Sequence, residues 1–270
     1  MLVPLALLLV ALPPREPRLV AFAALLGVVA YFAPRGPLWT VQWGWALLLG
    51  GWFIVAVLVW PGRPFFSRAV GATVAATATS AALIAAFGSW GELDWAISAA
   101  HRQAAEAIAM VWPGGVSAEG MELAATVPAR LFPSLIAVSS VAGLAVAWWG
   151  YSRLARRGRS LGRLVEFRFP DALLWVFIGG LALLVVPLDG WGSRLGYNLV
   201  FFMGALYTLR GLAVVMALVL GMVGTQIPVL IALGLVGVLL YPIVVAGTLL
   251  LGVTDTWLDL RSGRATNEEG

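Results

Sequence analysis

Cysteine is absent from the 270 residues, which excludes disulfides, iron–sulfur clusters and thiolate-bound metals. Lysine is absent too. All 17 basic residues are arginine, a usage that goes with a GC-rich bacterial genome. The single histidine, His101, can build neither a histidine metal cluster nor a two-histidine relay, and it reads as a polar-face residue of a helix. Charged residues are scarce at 11%, about half the share found in a soluble domain. Catalytic signatures are missing as well: no G-x-S-x-G, P-loop, H-E-x-x-H or G-x-G-x-x-G occurs. No nucleophile, base and electrostatic stabiliser stand together, so neither enzymatic activity, a cofactor nor a metal is expected. The net charge of +4 is small, and the arginines flank apolar runs. That placement is a signature of membrane topology and not of nucleic-acid binding.

What is present is apolar sequence, 61% of the chain, in runs separated by arginine- or proline-bearing breaks. In lipid no water satisfies backbone N–H and C=O groups, so runs of this length predict helices. They fall at 1–12, 18–33, 38–60, 69–87, 130–151, 171–187, 195–223 and 227–251. The expected fold is all-α: a transmembrane bundle of seven to eight helices in one domain over 1–253, followed by a polar tail, 254–270. Trp39, Trp43 and Trp45 at one end of the third run and Trp60 at the other suit the two membrane interfaces. The first run is too short to cross comfortably, which suggests a re-entrant or interfacial piece. It lacks a charged start and a small-residue cleavage site, so no cleaved signal peptide is expected.

Arg153, Arg156, Arg157, Arg159, Arg163 and Arg168 crowd the loop 152–170, with Glu166 its only acid, which predicts a cytoplasmic loop. Counting spans backwards then places 88–129, and the tail, on the other side. Within 88–129, Leu93, Ile97, Ala100, Ala104, Ile108 and Val111 recur at helical spacing opposite Asp94, Ser98, Arg102 and Glu106. This predicts an amphipathic helix ended by Pro113-Gly114-Gly115, and then a short helix capped by Ser117. The helix could lie on the membrane surface, pack across the bundle mouth, or form a lid over an outward-facing cavity.

Three polar features mark candidate positions. Arg210 lies near the middle of 195–223, where a guanidinium costs about 2.5–3.5 kcal/mol to insert. No Asp or Glu lies deep in a run to pair with it. Carbonyls, water, a headgroup or an anionic ligand are therefore its expected partners, with Asn198, Tyr207 and Gln42 as neighbouring polar candidates. Asp255, Asp259 and Arg261 surround Trp257 just after the last run and read as an anchor for a helix end, with metal or partner binding as the alternative. Small residues four apart in the fourth run, Gly71, Ala75 and Thr79 beside Ala72, Ala76 and Ser80, permit close helix contact within the bundle or a docking face for another membrane protein.

Several stretches also carry a family resemblance. They are Arg130-Leu131-Phe132-Pro133-Ser134, Glu166-Phe167-Arg168-Phe169-Pro170, Asn198-Leu199-Val200, Leu209-Arg210-Gly211-Leu212-Ala213-Val214, and the run from Leu251 to Arg261 through Thr254-Asp255-Thr256-Trp257. In this order, over about residues 115–261, the chain resembles the YybS-like family of bacterial multi-pass membrane proteins, a domain of unknown function. A glutamine is usual in that family where Arg210 stands. The family is grouped by fold with the substrate-binding S components of energy-coupling-factor vitamin transporters. The resemblance implies a protein of the bacterial inner membrane, partnered by the lipid bilayer. It further implies a small-molecule binding or transport component, or else a non-catalytic scaffold subunit of a larger membrane assembly. Either reading allows other membrane proteins as partners.

Overall fold

In the computed structural model, residues 2–33, 35–36, 38–88, 90–111, 117–155, 167–187, 190–223, 234–235 and 237–260 are described. Among them the chain is helical, without strands. It divides into two compact units, 1–161 and 162–270.

The first unit holds α1 (Leu2–Ala11), α2 (Pro17–Phe32), α3 (Trp39–Val59), α4 (Phe65–Phe87), α5 (Trp90–Val111) and α6 (Ala118–Leu154). Pro17 opens α2, where the missing N–H costs nothing. Ser117 Oγ accepts from Gly120 N at 3.0 Å and caps α6, as expected. Instead of a short helix followed by a separate span, α6 runs unbroken for 37 residues through Pro128 and Pro133. Each proline removes one backbone bond, whereas stopping the helix there would strip several groups of partners in an apolar setting.

The short first run proves to be core. Leu8, Leu9 and Leu12 are buried beside Phe53, Leu144, Ala147 and Trp148. Helix α1 packs on α2, α3 and α6. The Tyr151 hydroxyl of α6 donates to the Pro13 carbonyl, pinning the turn after α1. Helix α5 packs on α6 through Ile97 and Ala105. Its expected apolar face is only half used, since Ala104, Ile108 and Val111 are exposed.

The second unit holds α7 (Leu173–Val185), α8 (Trp191–Val223) and α9 (Tyr241–Leu258). Both shorter helices run antiparallel to α8. A Cβ on Gly180 would stand 2.9 Å from Leu199 Cβ, and one on Gly196 would stand 3.1 Å from Leu183 Cβ, which sets the α7–α8 register. On α9, Gly252 faces Tyr207 and Thr248 faces Gly211. Gly211 and Gly252 are required here. A Cβ on either would fall inside the backbone of the other helix, at Thr248 O or Tyr207 O.

Five of these helices are long and apolar enough to cross a membrane: α3, α4, residues 122–154 of α6, residues 191–219 of α8, and α9. Seven to eight spans were expected, and these five are the ones that meet both criteria among the described residues. Helices α1 and α2 are too short, at 10 and 16 residues. The run at 171–187 yields only the 13 residues of α7, about 20 Å at 1.5 Å per residue against a core of about 30 Å. The helix of the last run, α9, spans Tyr241–Leu258 and so reaches past the expected end at 251; residues 234–235 and 237–239 before it are also helical, and 224–233 lie outside the described residues.

Candidate functional sites: an open groove and a buried ion cluster

In the first unit, α1, α3, α5 and α6 leave a groove of about 660 Å³. Its walls are mostly apolar, from residues such as Leu38, Val41, Leu49, Phe132 and Leu135. Polar groups come from three helices: Gln42 on α3, His101 on α5, and Ser139 and Ser140 on α6. Trp45 Nε1 donates to Ser140 Oγ at 2.9 Å, tying α3 to α6 along one wall. His101 Nδ1 lies 2.9 Å from the Ile97 carbonyl oxygen. That oxygen can only accept, so Nδ1 is the donor of this bond. Ser139 Oγ donates to Ile136 O at 3.0 Å. Among the described residues neither arginine nor carboxylate lines the groove. Its seryl and histidyl groups are engaged with backbone or tryptophan and not with one another, so they form no nucleophile–base pair. The arrangement suits a neutral, largely apolar molecule with one hydrogen-bonding end.

In the second unit Arg210 is 3% exposed. Its Nε donates to Asp255 Oδ2 at 2.9 Å, one terminal nitrogen donates to Asp171 Oδ1 at 2.9 Å, and the other donates to the Asp255 backbone O at 3.2 Å. The guanidinium also stacks over Phe169, 5.3 Å from the ring centroid. This overturns the expectation that no acid would reach Arg210. Asp171 stands just before α7 and Asp255 in the last turn of α9, so neither lies deep in its own apolar run. The fold carries both helix ends to the middle of α8. Two carboxylates thus supply the counter-charge that the sequence alone left to carbonyls, water, a headgroup or an anionic ligand.

The same geometry defines the unit's architecture. The start of α7 and the end of α9 meet at one residue of α8, although the two helices run in the same direction. They therefore line up in sequence along α8, whose 33 residues are about 50 Å long, and do not lie side by side. Arg210 closes the join. Tyr207, fully buried, lies below it between Phe169 and Phe177, with centroids 5.1 and 5.7 Å away.

The remaining candidates disperse. Asn198 Nδ2 donates to Arg194 O at 2.8 Å along its own helix. Gln42 belongs to the first unit and its groove. Asp259, in the left-handed region at φ 39°, caps α9 and pairs with Arg168, while Trp257 is exposed. An Asp tolerates that backbone better than most residues. Arg261 lies outside the described residues, as do most of the basic loop (156–166) and the Pro113-Gly114-Gly115 break. On α4, Ala72 and Ala76 are buried in the core of the first unit, the close helix contact that their spacing allowed and not a docking face. Gly71 is exposed, with Ala75, Thr79 and Ser80 half-buried. Among the described residues no group of acids or histidine is arranged to hold a metal. Sequence reasoning missed Asp171 and Ser140. Asp171, an acid bordering an apolar run in a chain with a lone buried arginine, was the available signal.

Five apolar membrane-length helices, a core of leucine, alanine and tryptophan, and one buried charge cluster at helix ends define a polytopic helical membrane protein. The chain belongs to the family described as "Predicted membrane protein (DUF2232)", whose profile spans residues 18–256, in keeping with the YybS-like resemblance. Neither a curated protein nor a solved structure shows significant similarity to it.

Proposed function

We propose that this membrane protein is a non-catalytic binding component of the bacterial inner membrane that takes up a neutral, mostly apolar small molecule in the groove of its first unit. The carrying observation is the groove itself: apolar walls with Gln42, His101, Ser139 and Ser140 drawn from three helices, and no formal charge. Apolar walls favour transfer of an apolar body from water, and few fixed polar groups orient one end. Helix α5, with His101 on one wall, acts as the lid. A role in transport, resembling that of an energy-coupling-factor S component, is the natural extension of this reading.

The test is mass spectrometry of protein purified from native membranes, comparing wild type with Ala46→Trp, which fills the groove from α3. The reading expects a small-molecule adduct on wild type that is lost from the folded variant. An adduct retained by Ala46→Trp, or none on wild type, overturns it. A second reading, a scaffold subunit of a membrane assembly, is favoured by one feature. A Cβ on Gly71 of α4 would meet nothing within 4 Å, so that face could admit a close partner helix. Co-purification of a partner lost in Gly71→Leu would select it.

A further inference from the structure

We infer that Arg35, held between Tyr31 and Trp39, is a binding site for the phosphodiester of an anionic phospholipid. Its guanidinium carbon lies 5.2 Å from the Tyr31 ring centroid and 4.9 Å from that of Trp39. Those rings are fixed in turn: Tyr31 meets Trp39 and Trp43 edge-on at 6.0 and 6.4 Å, and Trp39 meets Trp43 at 5.8 Å. The charge is thus positioned by two aromatic faces, which attract a cation but accept none of its five N–H donors in plane. Arg35 is exposed and forms no ion pair among the described residues. Arg210 spends its fork on two carboxylates, and Arg18 pairs with Glu16. At Arg35 the fork is oriented and open.

Position supplies the ligand. Trp39 begins α3, a membrane-spanning helix of 21 residues with Trp60 just past its other end. The aromatic cluster therefore marks the depth of the headgroups, where phosphate is the abundant planar-fork acceptor. A guanidinium matches a phosphate bidentately, and its weak hydration keeps the desolvation cost low. An ethanolamine or choline headgroup brings its own cation to its phosphate, so a glycerol headgroup, with an uncompensated charge, is the better fit.

Native mass spectrometry of the full chain, delipidated in detergent and supplied with phosphatidylglycerol, tests this. Wild type should hold one tightly bound lipid, Arg35→Gln should bind it roughly tenfold more weakly, and Arg35→Lys should fall between, having charge without the planar fork. Arg63→Gln, beyond the other end of α3, is the control and should match wild type. A diacylglycerol of the same chains should not bind. Equal phosphatidylglycerol binding by wild type and Arg35→Gln overturns the inference. Displacement of the lipid by millimolar inorganic phosphate assigns the site to free phosphate, and so overturns the lipid assignment.

Discussion

The two units bury an arginine in different settings, Arg68 over an aromatic ring and Arg210 between carboxylates. The first unit closes its core chiefly with aliphatic, alanine and aromatic packing, buries Arg68 over the ring of Trp148, and sets Gln42, His101 and Ser139 along an open groove. The second draws a guanidinium and a carboxylate out of solvent and brings two helices to backbone contact at glycines. An apolar core tolerates volume changes by repacking, whereas a buried charge is stable only while its partner stays within reach. The apolar core of the first unit is therefore the more tolerant of substitution, and the second is built to hold one geometry.

The largest expected effect tests the rigid unit. Gly211→Leu, or Gly252→Val, would drive a side chain into the opposing helix backbone, where no rotamer gives relief. A loss of more than about 3 kcal/mol is expected, seen as failure to recover monodisperse protein by size-exclusion chromatography in detergent. Gly51→Leu is the control. A Cβ there meets nothing within 4 Å, so the change should be tolerated.

Next comes the ion cluster. Asp255→Asn strands most of the Arg210 charge in the interior, and Arg210→Gln strands Asp255. Each should cost about 3–5 kcal/mol in thermal or denaturant unfolding. A glutamine is usual at this position in the resembled family, but in this chain it would face the buried Asp255. The double variant Arg210→Leu with Asp255→Leu should recover much of the loss, since a matched apolar pair leaves no charge uncompensated. The Asp171 side chain is 63% exposed, so Asp171→Asn should cost under about 1 kcal/mol, with water screening the pair. Equal losses at 171 and 255 would show that burial does not govern the cluster.

The smallest effect probes the tolerant unit. Trp45→Phe removes the donor to Ser140 but keeps the ring, and should lower stability by about 1 kcal/mol while widening the groove wall. A loss as large as that of Asp255→Asn would erase the contrast between the two units.

Much of the helical pattern was legible because the bilayer requires it. Helix α3 matches its apolar run within a residue, and its terminal tryptophans sit where the interface favours them. Ser117 announced the start of α6 through a cap whose donor lies three residues away, the kind of local bond that sequence exposes. The bonds of Arg210 are of the other kind. Asp171 and Asp255 lie 39 and 45 residues away, at the ends of other helices, and a search for acids deep within apolar runs passes over both. The groove was equally hidden, since Gln42, His101 and Ser140 are scattered over three helices and become neighbours only by packing.

The sequence by itself determined that the protein is helical, apolar and made for a membrane, because backbone hydrogen bonding in lipid admits few alternatives and depends on each segment alone. Which runs are long enough to cross was decided by where the helices begin and end in the fold, with α7 shortened to 13 residues. The tertiary structure also decided that Arg210 is paired, that Ala72 and Ala76 are core, and that three helices share a groove. Each depends on side chains distant in sequence meeting at a few ångströms, and periodicity within one helix carries no information about its neighbours.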